Sequence, residues 1–123
     1  MRAPSRDGRR GRRFNRPARL SRGDIYRVLP PARRGREARV HRYGVVVQTE
    51  ALLGCPTAIV APASASVAPA TFRPEVVVAG EVTRVLVEQL CAVDVQRLGE
   101  RVARLAPEEQ RALDEALELV LGL

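Results

Sequence analysis

Between residues 24 and 93 the chain is a succession of short β-branched runs broken by proline and glycine. That pattern narrows the possible folds to a small, curled antiparallel sheet. Asp24–Leu29 alternates loosely and stops at Pro30-Pro31, and Tyr43–Gln48 is a valine run with the length of a buried strand. A turn around Gly54-Cys55-Pro56 leads to a third strand, Thr57–Ala61, after which the small residues 62–71 read as a loop or a poor edge. Glu75–Ala79 and Arg84–Val93 complete the strand set, with Gly80 between them. The period then changes. Asp94–Leu98 reads as one helical turn and Arg101–Leu105 as a last short strand. Pro107 opens a helix at its preferred first position, with Glu108 and Glu109 placed to favour the helix dipole. Leu113, Ala116, Leu117, Val120 and Leu121 form its apolar stripe, while Ala106 offers no capping oxygen. The expected architecture is mainly β with one C-terminal amphipathic helix.

Charge is unevenly spread over the 123 residues, which carry a formal net charge of +7. Residues 1–22 hold nine arginines against Asp7, and residues 27–42 six against Glu37. Residues 43–123 reverse the balance, with six arginines and eleven acids. The first 21 residues mix arginine with glycine and proline and have no apolar periodicity, so they are expected to be a disordered tail ahead of a domain over 22–123. Every basic residue is arginine, the side chain best suited to gripping phosphate in two places at once. Clusters of this kind point to a polyanion as partner. No apolar run is long enough to span a bilayer, and no apolar stretch follows the basic start as a secretory signal requires. Two cysteines, Cys55 and Cys91, are too few for a disulfide framework or a zinc cluster and read as reduced thiols. The expected compartment is the cytoplasm, with neither metal nor cofactor.

Hydrolase and nucleotide-binding signatures are missing, and a single histidine, His41, excludes a two-histidine ribonuclease mechanism. What remains is an arginine-rich segment (Arg33, Arg34, Arg36, Arg39, His41, Arg42) leading into a strand, with hydroxyls at Ser64, Ser66 and Thr71. Such groups can hold a phosphodiester without naming a reaction.

Particular motifs say more. Arg22-Gly23-Asp24-Ile25-Tyr26 resembles the RGDIY/W opening of the MazF/PemK toxin endoribonucleases. Arg42 and the strand YGVVVQ fall where that family shows R-P-V-L-V-V-[QS]. Residues 56–64, PTAIVAPAS, resemble its PTVIVAPLT, and residues 88–123 resemble its EQIRTVDKxRLG…VDEALxxxLGL ending. The resemblance covers 22–123. It implies a small SH3-like antiparallel barrel of the MazF/CcdB kind, five to seven strands and a C-terminal helix, acting as a homodimer. It further implies metal-independent cleavage of single-stranded RNA at a short sequence, and a cognate MazE-like antitoxin that blocks the groove. Arg42 then corresponds to the strand-start arginine, Ser64 to the catalytic threonine, and Glu88 to a carboxylate that assists proton transfer in some relatives. Arg36 and Glu37 correspond to the loop that covers the RNA.

On pKa grounds Glu88 or His41 is a better proton acceptor than Arg42, whose guanidinium stays charged, and the choice between them stays open here. The chain departs from the pattern at Tyr43-Gly44 (for proline and a β-branched residue), which predicts a looser start to that strand. Other departures are Ser64 for threonine, Val82-Thr83 for Asp-Ser, and Cys91 for arginine. Two other readings compete: a CcdB-like barrel that binds a protein target without catalysis, and a basic nucleic-acid-binding module.

Overall fold

The computed structural model describes residues 20–29, 43–50 and 55–123. Seven strands and one helix follow in order: β1 (Asp24–Val28), β2 (Tyr43–Val46), β3 (Thr57–Ser64), β4 (Glu75–Val78), β5 (Glu81–Val85), β6 (Cys91–Asp94), β7 (Leu98–Arg104) and α1 (Pro107–Leu121). All pairings are antiparallel, in the order β4-β5-β3-β2-β1-β7, with β6 also beside β3.

The continuous valine runs are explained by apolar packing on both faces of the sheet. One face, through Ile25, Val45, Ala61, Ala63, Val76, Val78 and Val85, packs with Leu105 and with Leu113, Ala116 and Leu117 of α1. The intervening residues Tyr26, Val46, Ala58 and Val60 build a second cluster with Val93 and Leu98. Leu121, read from sequence as part of the helix stripe, is instead exposed. At the helix start, Glu109 does what Ala106 cannot: its Oε1 accepts the Ala106 N–H at 2.8 Å. Its Oε2 accepts the Val77 N–H at 3.0 Å, occupying a donor on the edge strand β4.

The Arg22-Gly23-Asp24 motif is a structural clasp. Asp24 is buried, accepts the Ser21 N–H, and is paired with Arg104 and Arg101 of β7. Arg22 donates to the Val47 carbonyl and to Asp114 of α1, so three residues bind β1, β2, β7 and the helix together. Gly23, at φ +94°, takes a left-handed conformation that glycine adopts without strain.

Several boundaries differ from the sequence reading, three of them by enough to matter. β3 does not stop at Ala61 but runs through Pro62 to Ser64. Its neighbour changes there: residues 57–60 pair with β6, residues 63–64 with β5. A missing N–H at the changeover costs little. The final strand starts at Leu98, ahead of Arg101. The largest difference is at Arg84–Val93: the strand there starts earlier, at Glu81, ends at Val85, and is separated from β6 by a 3-10 turn at Val87–Gln89. The register shows why. Continuing from Ala63↔Val85, Val60 would meet residue 88, yet it meets Cys91. The three turn residues are an insertion in one antiparallel pairing, and Glu88 sits in it. Gly44 does not loosen β2 either: a Cβ there would lie 2.9 Å from Val28 Cγ2, so glycine permits the close packing of β1 on β2.

Candidate active site

Ser64 is the last residue of β3, and its partner across the ladder is Arg84 of β5. Arg84 in turn faces Glu75 of β4. Their chain neighbours Ala63, Val85 and Val76 are buried, so alternation puts Ser64, Arg84 and Glu75 in one row on the outward face. Ser64 Oγ accepts the Ser66 N–H at 3.2 Å and lies 3.2 Å from Ser66 Oγ.

The segment after Ser64 is made of small residues with little means of holding itself, and two arginines hold it. Arg84 Nη1 donates to the Val67 carbonyl at 3.3 Å, and Arg73 Nη1 to the Ala68 carbonyl at 3.0 Å. Each arginine also engages a carboxylate. Arg84 Nη2 reaches Glu75 Oε2 at 2.9 Å. Arg73 donates from both Nε (3.1 Å) and Nη2 (2.7 Å) to Glu88 Oε2. Glu88, pushed out of the ladder by its three-residue insertion, is thereby tied to the loop that begins at Ser64. Partial burial of Glu88 acts to raise its pKa, but the hydrogen bonds from Arg73 and the attraction of its charge outweigh that and hold it below the usual carboxylate value.

Of the residues singled out in the sequence, Ser64 and Glu88 therefore lie at one end of the sheet, joined through the 65–73 segment. Arg33, Arg34, Arg36, Arg39, His41 and Arg42 lie outside the described residues, as does the N-terminal tail through residue 19. Arg42 precedes Tyr43 in the sequence, and Tyr43 pairs with Ala63, the neighbour of Ser64. Tyr43 itself carries the Arg27 guanidinium 5.6 Å from its ring centre. Arg73 and Arg84 were not anticipated. The one available signal for Arg84 was alternation, which marks it as an outward position once Val85 is placed inside. Thr83, in place of the family's serine, keeps a buried hydroxyl that donates to the Val76 carbonyl at 3.2 Å. Cys55 and Cys91 are exposed and unpaired. Among the described residues no group of three or more His, Cys, Asp or Glu could hold a metal ion, and no helix is long and apolar enough to cross a membrane.

The curled antiparallel sheet with one C-terminal helix formed by the described residues matches the fold of solved MazF toxins. The MazF crystal structure from Deinococcus radiodurans superposes with a TM-score of 0.70 at 18% identity, covering 85% of this chain and 98% of that one. A mycobacterial endoribonuclease solved with its cognate antitoxin also gives 0.70, at 16% identity over 85% of this chain and 96% of its own. In sequence, a candidate toxin of Mycobacterium tuberculosis is 36% identical over 104 residues, 83% of this chain and 97% of the relative. The profile of the PemK-like, MazF-like toxins of type II toxin–antitoxin systems matches residues 21–121, and the chain belongs to that family.

Proposed function

We propose that the chain is the toxin endoribonuclease of a type II toxin–antitoxin pair. It cuts single-stranded RNA at a short sequence, without a metal ion, by attack of the ribose 2′-OH on its own 3′-phosphate. The P–O5′ bond breaks, leaving a 2′,3′-cyclic phosphate and a 5′-OH. The 2′ proton leaves to a base, and the departing 5′ oxygen gains one. Family membership across 21–121 supports this reading, and so does the hydroxyl of Ser64 on an outward row beside a guanidinium.

Negative charge grows on the non-bridging oxygens as the fifth bond to phosphorus forms. Arg42 clamps those oxygens and Ser64 donates a hydrogen bond to them, stabilisation that is strongest in the transition state. The proton acceptor is Glu88 or His41. Pairing with Arg73 makes Glu88 a weaker base than a free glutamate, which lets a pH profile separate the two. The need for a 2′-OH restricts the reaction to RNA. Arg33, Arg34, Arg36 and Arg39 hold the backbone around the cut. The working form is a cytoplasmic homodimer silenced by a MazE-like antitoxin, in line with the mycobacterial relative solved with its cognate antitoxin.

The test is digestion of a long transcript in EDTA, with mapping of both new ends. Cuts at a recurring short sequence, bearing cyclic phosphate and 5′-OH, are expected. Arg42→Ala should abolish them while circular dichroism stays unchanged. Intact transcripts with the unaltered chain, or equal cutting by Arg42→Ala, would overturn the mechanism.

A further inference from the structure

We propose that Arg84 binds a second RNA phosphate, next to the linkage held by Ser64, and that Glu75 occupies this subsite in the free protein. The inference rests on the endoribonuclease reading and names a residue that reading does not contain.

Ser64, Arg84 and Glu75 are successive cross-strand partners on β3, β5 and β4. Directly opposed side chains in such a ladder start about 5 Å apart. A guanidinium in that position is within reach of the sugar–phosphate chain that brings a linkage to Ser64. Its geometry is prepared. Nη1 is anchored on the Val67 carbonyl, which orients the fork and leaves Nη2 aimed at a single carboxylate oxygen of Glu75. That carboxylate is 60% exposed, so its attraction for Arg84 is screened by water and salt, and the two non-bridging oxygens of a phosphodiester can replace it.

Arg73 provides the contrast. It spends both Nε and Nη2 on Glu88, whose side chain is 27% exposed, and it has less to release. No acid occurs between Ser64 and Phe72, and the next outward row, Val77 and Val82, is uncharged and half exposed. Among the described residues, Glu75 is the one competitor in this strip.

The experiment titrates the full chain with a fully 2′-O-methylated oligonucleotide spanning a mapped cut site, at several salt concentrations, alongside steady-state cleavage of the unmodified RNA. Arg84→Gln should weaken binding about three- to tenfold and lower the log–log salt slope by ~0.7, with the loss falling on KM. Arg84→Lys should restore the slope, and Glu75→Gln should tighten binding at low salt. If Arg84 serves only to tether the loop, Arg84→Gln and Arg84→Lys will both lower kcat and melting temperature and leave the salt slope unchanged. That result overturns the proposal. An unaltered chain that neither binds nor cuts RNA removes the endoribonuclease reading and this subsite together. Normal cutting with an unaltered slope in Arg84→Gln removes the subsite alone.

Discussion

Ser64 stands where the resemblance puts a threonine, and the loss of the β-methyl frees its χ1. The fold compensates locally, because the Ser66 N–H bonds to Ser64 Oγ and fixes the hydroxyl at the start of the loop. Ser64→Ala should therefore lower kcat about a hundredfold, the usual loss for one donor to a developing oxyanion, with little change in RNA affinity. Ser64→Thr should keep or raise the rate, since it retains the oxygen and regains the stiffer rotamer. Single-turnover cleavage measures both. Ser64 was legible in the sequence because PTAIVAPAS carries it in a recognisable frame. Gly44 was legible as a departure, but its meaning was not. Only the placement of Val28 over β2 shows that a side chain at that position would collide with its neighbour strand. The Arg22-Gly23-Asp24 motif identified the family, yet nothing in three letters says that Asp24 is buried and paired with two arginines of β7, 77 and 80 residues away in sequence.

The hardest element to read was Arg84–Val93. Its apolar content is continuous, and a three-residue insertion in a strand pairing leaves no trace in hydrophobic period, since Val87 is as buried as the strand residues around it. The break has a consequence for chemistry, because it projects Glu88 toward Arg73. With its pKa held below the ordinary value, Glu88 is ionised throughout the neutral range. The stabilisation from its pair with Arg73 is complete above the ordinary carboxylate pKa, and it is lost as pH falls through the lowered one. If Glu88 accepts the 2′ proton, the acid limb of kcat/KM lies below the ordinary glutamate range, and Arg73→Ala should shift that limb upward. If His41 is the base, the limb belongs to an imidazole and not a carboxylate, and Arg73→Ala leaves it in place. A pH–rate profile of the two proteins assigns the role.

At the scale of the whole molecule, the sheet and helix were legible because most strands announce themselves by β-branched content and most breaks by proline or glycine, the turn at Val87–Gln89 excepted. The curl was expected from the same pattern, but not its cause, β3 exchanging β6 for β5 along its length. Charge is segregated as well. Residues 43–123, which contain Ser64 and Glu88, are acid-rich, whereas the arginine excess precedes them. An RNA approaching this site meets a body of net negative charge, so the long-range attraction comes from the segments before residue 43, with Arg84 acting only at contact. Leu20 and Ser21 already belong to the folded part, through packing on the second cluster and a bond to Asp24, so a clean cut falls before them. Deletion of residues 1–19 should leave thermal stability unchanged but weaken RNA binding. The log–log salt slope should fall by ~0.7 for each phosphate contact the tail makes on single-stranded RNA. If the tail acts only by raising the rate of encounter, the association rate will fall at low salt and the cleavage rate at saturating RNA will not change. A truncated chain with the same slope and the same association rate would show that residues 27–42 alone draw the RNA to an acidic barrel.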